Sequence, residues 1–256
     1  MAYYTGRKQV DPMESIMKLG VRNIRMSYPG QEIFREFSLE FRENTITCIL
    51  GPSGCGKTTL LNILSGNLRP QSGERIGFGN RKLSYIFQEP RLLPWKTVTG
   101  NLLFPVKEQI PPEKQEAWLN HYLDLVNLQG KGHLYPYQLS GGMKQRVAMA
   151  RAFAFPSDII LMDEAFRGLD LSLKMNLMES FLRIWKEHPR TVIAVTHDVD
   201  EALALGHDLI VFSHPPVSVV DRIGQRKQEE TVFTGNTKIR NRLISRLMEA
   251  GRHPDR

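Results

Sequence analysis

Cysteine is nearly absent: Cys48 and Cys55 are the only two in 256 residues. They lie too close in sequence to staple a fold, so a reduced, cytosolic protein is the simpler reading. Long apolar runs are also missing. No stretch approaches the roughly 18 residues of a membrane-spanning helix. Met1 to Leu19 has no continuous apolar segment, which argues against a secretory signal. There are no internal repeats and no low-complexity tracts, which sets repeat architectures aside. What remains is ordinary globular composition, 41% hydrophobic and 24% charged, with length for one sizeable core or two lobes.

The net charge is +7, and residues 222–256 hold nine Lys/Arg against four Asp/Glu, an excess of five. Nucleic acid or an anionic inner leaflet is one reading of such an excess, and a solvated basic tail is the plainer one. Ile239, Leu243, Ile244 and Leu247 fall on one helical face, so the tail is expected to dock a short helix. Residues 1–17 read as a flexible leader, with Met17 a possible alternative start.

Short alternating segments suggest strands at Val21–Met26, Phe37–Phe41 and Thr45–Leu50. A glycine-rich loop follows, and Thr58–Ser65 then reads as a helix. Pro111 and Pro112 open a helical stretch to about Leu128, and Gly141 opens another to about Phe155. Asp158–Met162 and Val192–Val195 are continuous apolar runs, as expected for strands buried on both faces. Helices alternating with such strands imply a parallel α/β sheet.

Gly51-Pro52-Ser53-Gly54-Cys55-Gly56-Lys57-Thr58 fits G-x-x-x-x-G-K-[ST], between an apolar strand and a helix. Glycines let successive N–H groups turn inward on phosphate oxygens, and the helix start adds partial positive charge. Lys57 can reach the β- and γ-phosphates, and the Thr58 hydroxyl, with Thr59 beside it, can serve Mg²⁺. The loop therefore implies ATP. Cys55 sits among these N–H groups, so its thiolate is expected to be favoured and reactive, the alternative being that it faces the protein interior and reacts slowly; Cys48, mid-strand, is expected to be inert.

Ile159-Ile160-Leu161-Met162 ends in Asp163-Glu164. Ligands of open α/β sheets bind beyond the carboxyl ends of strands. Asp163 would hold Mg²⁺ there, and Glu164 would polarise an attacking water. A second helix start follows Leu139: Ser140 is a good N-cap, and Gly141 and Gly142 leave first-turn N–H groups open to an anion.

Leu139-Ser140-Gly141-Gly142-Met143 resembles the LSGGQ signature of ABC ATPases, with Met143 in place of Gln. That resemblance implies a P-loop NTPase fold: a RecA-like core, an N-terminal antiparallel β subdomain and an inserted helical subdomain at roughly 91–156, all within residues 18–222. Residues 223–256 would be a basic extension. It further implies that Tyr28 stacks on adenine, that Gln88 senses Mg²⁺ and water, that Leu169-Asp170 is the D-loop, and that His197 contacts the γ-phosphate. The signature of a second copy would close over the nucleotide. Gln88-Glu89-Pro90-Arg91-Leu92-Leu93-Pro94-Trp95 resembles the ATPases of nitrate, sulfonate and taurine importers. The implied partners are transmembrane permease subunits and, indirectly, an extracytoplasmic solute-binding protein. The implied place is the cytoplasmic face of the inner membrane, and no nucleic-acid partner is expected. Leu92, Leu93 and Trp95 would suit a groove for the permease, or equally a helical-subdomain core.

Three departures stand out. Ala165 replaces the usual Pro after the catalytic Glu, Phe166-Arg167-Gly168-Leu169-Asp170 replaces Phe-Gly-Ala-Leu-Asp, and Lys174 stands where Arg is common. Communication through the D-loop is what they put in doubt. An ABC ATPase acting on nucleic acid or ribosomes is the alternative, although its usual coiled-coil insertions or tandem domains are missing. A regulatory nucleotide-binding module without turnover is disfavoured by Glu164 and His197.

Overall fold

A computed structural model describes residues 19–224 and 237–251. The leader 1–17 and much of the basic extension, 225–236 and 252–256, lie outside the described residues. Strand β1 (Gly20–Tyr28) turns at Pro29-Gly30 into β2 (Gln31–Glu40), and Tyr28 pairs with Gln31 across the turn. Gly30 has φ 83°, the left-handed conformation this tight turn needs. The second strand starts six residues before the expected Phe37, since it begins at Gln31. Its alternation is broken: Ile33 and Phe34 are both buried, and Glu36 has φ 49°. A local bulge of this kind hides a strand from a period-two reading.

Strand β3 (Ile46–Leu50) leads through the glycine loop into α1 (Lys57–Ser65). Strand β4 (Ser72–Ile76) returns to β1, giving a three-stranded antiparallel sheet in the order β2-β1-β4. After β5 (Leu83–Ile86) come three α-helices, α2 (Val98–Leu103), α3 (Pro112–Leu125) and α4 (Gly141–Ala154), with a 3-10 turn at Pro136–Gln138 before the last. The chain then alternates: β6 (Ile159–Asp163), α5 (Leu171–Glu187), β7 (Thr191–Val195), α6 (Val199–Leu205), β8 (Asp208–Phe212), β9 (Val219–Gly224) and α7 (Thr237–Ala250). The larger sheet has six strands in the order β5-β6-β7-β3-β8-β9, parallel except for the β8–β9 pair.

The central strands are apolar throughout because each serves two cores. Cys48 and Leu50 of β3, Ile160 and Met162 of β6, and Val192 and Ala194 of β7 face one cluster, with the helices from α2 to α6. Ile49, Leu161 and Val195 face the other, shared with α1 and the antiparallel sheet. This is the both-face burial expected of a parallel sheet. Helix α7 docks as expected, through Ile239, Leu243 and Leu247. Arg240 pairs with Asp200 at 2.8 Å and Arg242 with Asp221 at 2.6 Å, so part of the tail's positive charge is met within the chain.

The inserted helices are pinned by one residue the sequence did not single out. Asn101 is fully buried; its Oδ1 accepts from the Leu93 N–H, and its Nδ2 donates to the carbonyls of Leu93, Lys96 and Thr97. A buried amide with these partners fixes the loop that carries Leu92, Leu93 and Trp95. Leu92 packs against the core, Leu93 is half-buried, and Trp95 is 70% exposed. Of the two readings, Leu92 follows the helical-subdomain core and Trp95 the exposed face, with Leu93 between them.

Candidate functional site

Strands β6, β7 and β3 are neighbours and run parallel, so their carboxyl ends form one edge. That edge carries Asp163, His197 just past β7, and the glycine loop. The loop needs glycine at position 56 on two counts. Its φ is 106°, and a Cβ there would lie 2.4 Å from Ile33 Cγ2. Gly54, φ 74°, has open space around it, and Ser53, Gly54 and Thr58 are exposed. The Lys57 ammonium folds back on the loop, donating to Gly51 O at 2.8 Å and Pro52 O at 2.9 Å. Gly51 is buried and Pro52 half-buried in the turn from β3 to α1, and Thr59 is half-buried in the first turn of α1.

Cys55 corrects an expectation. Its side chain is fully buried beneath the loop, within the core shared with α1. Burial pushes the thiol up, and the opposing Lys57 charge does not overcome this. The thiol is therefore neither accessible nor activated, and only the backbone of Cys55 faces a ligand role. Cys48 is buried, as expected of a mid-strand residue.

The Thr58 hydroxyl lies 3.2 Å from Asp163 Oδ1, joining positions 105 residues apart in the chain. The Tyr85 hydroxyl donates to Asp163 Oδ2 at 3.4 Å. Burial moves the Asp163 carboxyl up, and Glu164 adds to the shift while Thr58, Tyr85 and Lys57 oppose it. Burial also raises Tyr85, with Asp163 reinforcing the effect, so its hydroxyl stays protonated and donates. A hydroxyl beside a carboxylate, at the mouth of a phosphate-type loop, is a donor set of hard oxygens that fits Mg²⁺.

Glu164 has φ 45°, rare for a residue with a side chain, and of the kind that clusters at functional sites. The turn is held at both ends: its N–H donates to Val195 O at 3.0 Å and its carbonyl accepts from Arg167 N–H at 3.0 Å. The carboxylate meets His197 Nδ1 at 3.4 Å through Oε1 and Arg167 Nη1 at 2.8 Å through Oε2. Gln88 is exposed just past β5, the strand beside β6. Tyr28 is 45% exposed at the turn into β2, the strand whose Ile33 packs on Gly56.

The second helix start belongs to a different neighbourhood. Ser140 caps α4 by accepting from Met143 N–H at 3.3 Å, and Ser140 and Gly141 are exposed. Gly142 is buried, and a Cβ on it would lie 2.6 Å from Leu173 Cδ2. The start of α4 therefore leans on the start of α5. There Asp170 caps α5 by accepting from Leu173 N–H at 2.9 Å, so its carboxylate already serves its own helix. Lys174 reaches Asp198 at 2.6 Å, tying α5 to the residue after His197. Burial would push Asp198 up, but Lys174 and two backbone N–H groups draw it below the usual carboxylate range.

Sequence reasoning missed Tyr85, Asp198 and Glu201. Tyr85 was findable by strand parity: it pairs with Leu161, two positions before Asp163 on the same face. Glu201 is 5% exposed, and burial pushes its carboxyl up to about 8. Between the ordinary 4.5 and that value the folded state binds more protons than the unfolded one, so stability falls as pH rises. Glu201→Gln, which mimics the neutral acid, should flatten that slope. Urea unfolding at pH 6 and pH 9 checks it. Parallel pH dependences for the two proteins would show that Glu201 is not the buried acid responsible.

Among the described residues no helix is long and apolar enough to cross a membrane. The family model described as ABC transporter matches residues 34–167, just over half of the chain. The taurine import ATP-binding protein TauB of Roseobacter denitrificans is 40% identical over 77% of this chain and 78% of its own length. The nitrate import ATP-binding protein NrtD of Synechococcus elongatus is 38% identical over 73% of this chain and 72% of its own. Among solved structures, a dimeric ATP-binding cassette in a post-hydrolysis state with ADP and Pi bound matches with TM-score 0.69 and 26% identity, covering 82% of this chain and 100% of that one. Site geometry, family model and relatives agree, and the chain belongs to the ABC transporter family as an ATP-binding cassette.

Proposed function

We propose that this chain is the ATP-hydrolysing subunit of an importer for a small solute of the taurine, sulfonate or nitrate kind. The observation that carries the reading is the Thr58–Asp163 contact, which sets a metal-type oxygen pair beside the phosphate loop, with Glu164 one residue further on. Backbone N–H groups of residues 53–59 and the Lys57 ammonium bind the phosphates, with Gly51 and Pro52 shaping the turn. Thr58 and Asp163 would hold Mg²⁺, with Gln88 as a further ligand; the ion would supply charge stabilisation to the phosphate oxygens. Glu164 orients the attacking water and takes its proton, and His197, which faces Glu164 Oε1, holds the γ-phosphate. Tyr28 offers its ring to the adenine.

Residues 18–222 act as the cassette, with residues 91–156 forming its helical subdomain. Ser140, Gly141 and Gly142, with Asp170, serve the nucleotide of a second copy. Trp95 marks the face presented to the permease, at the cytoplasmic side of the membrane, and a solute-binding protein outside supplies the cargo. The relatives named for taurine and nitrate import support the solute class. Purified chain given Mg-ATP should release phosphate, and addition of EDTA should stop it. An absence of phosphate release at every protein concentration, with ATP bound, would leave a binding module without turnover.

A further inference from the structure

We propose that Arg167 is a latch on the catalytic carboxylate, a positioning residue that slows ATP hydrolysis in the isolated subunit. The proposal rests on the reading of Glu164 as the base. A carboxylate has two oxygens, and both are engaged here. Oε2 accepts from the Arg167 guanidinium at 2.8 Å, and Oε1 faces His197 Nδ1 at 3.4 Å. An oxygen that accepts from a guanidinium keeps only one of its two lone-pair directions for water, so Arg167 competes with the attacking water for Oε2. The latch is local. Residues 164–167 form a tight turn closed by the Arg167 N–H on the Glu164 carbonyl at 3.0 Å. Gly168, φ 74°, carries the chain onward from that turn. No partner is needed to form the contact, so it exists in the free chain.

The two groups differ in freedom. The Glu164 side chain is 17% exposed and held in a left-handed backbone, whereas the Arg167 side chain is 54% exposed. Arg167 is therefore the member that can leave. Half-exposed ion pairs shift an equilibrium by no more than roughly fivefold. The contact thus acts as a brake and does not block the site. Arg167 also lies outside the phosphate loop, so its removal should leave nucleotide affinity alone.

The test compares steady-state phosphate release by wild type, Arg167→Ala, Arg167→Lys and Glu164→Gln, each with melting temperature measured alongside. Arg167→Ala should raise kcat about two- to fivefold with KM for ATP unchanged. Arg167→Lys, which keeps the charge but not the planar fork, should fall between wild type and Arg167→Ala. Unchanged or lower kcat in a folded Arg167→Ala protein would overturn the latch, as would a shift in melting temperature alone. If Arg167→Ala does not fold, Arg167→Lys decides: kcat at or below wild type overturns the proposal. Glu164→Gln separates the two layers. If that variant turns over at the wild-type rate, the base assignment fails and the latch with it; if it is inactive, an unresponsive Arg167→Ala removes the latch alone.

Discussion

Replacing Glu164 with Gln should reduce steady-state phosphate release by at least about 10²-fold, within the range that positioned general bases contribute, while ATP still binds. Gln keeps the size of Glu, and its one oxygen can still accept from the Arg167 guanidinium while its NH2 faces His197 Nδ1, but it cannot take a proton from water. Its backbone faces the same φ of 45° that Glu164 already tolerates, so the turn should persist. The phosphate cradle is untouched: Lys57, Gly56 and the Thr58–Asp163 contact lie on other elements or one residue upstream. Titration with a fluorescent ATP analogue should give a dissociation constant within a few-fold of wild type. Phosphate release at the wild-type rate would remove Glu164 from its role.

The sheet was legible because its strands are buried on both faces. Asp158–Met162 and Val192–Val195 show no alternation, yet odd and even residues serve different cores, as Leu161 and Met162 do. The antiparallel sheet was less legible, since the bulged Gln31–Glu36 stretch lacks a clean period. The glycine loop could be read from residue types because it is built from backbone. Cys55 could not: the sequence places a thiol in an N–H-rich loop but does not say which way it turns. Close packing around Gly51, whose added Cβ would lie 3.0 Å from Cys55 Sγ and 3.1 Å from Phe212 Cβ, shows the thiol directed inward.

The site's long-range partners were the hardest to see. Tyr85 and Asp163 meet only because β5 and β6 pair in parallel after a crossover through the inserted helices. Arg167 was visible as a departure, and the sequence assigned its consequence to communication between copies. The 2.8 Å contact assigns it first to the carboxylate three residues earlier. In the basic tail, the apolar face Ile239, Leu243 and Leu247 was readable and does dock, and Ala250 extends it. Ile244 is half-buried at its margin.

We propose that this cassette works as a nucleotide sandwich. Each chain carries two helix starts suited to phosphate, and they face different surroundings. The start of α1 closes the glycine loop at the end of β3. The start of α4 leans on α5 through Gly142 and Leu173, and its Ser140 and Gly141 are exposed. We propose that this second start takes the nucleotide on another copy, since backbone N–H groups at a capped helix start favour phosphate. Glu164→Gln should hold ATP unhydrolysed and so accumulate the closed pair. Light scattering on that variant is the direct measurement. Without nucleotide the mass should be that of the 29.3 kDa chain, and saturating Mg-ATP should double it in a concentration-dependent way. A mass that stays at 29.3 kDa with ATP demonstrably bound, up to the highest concentration the protein tolerates, would contradict the account.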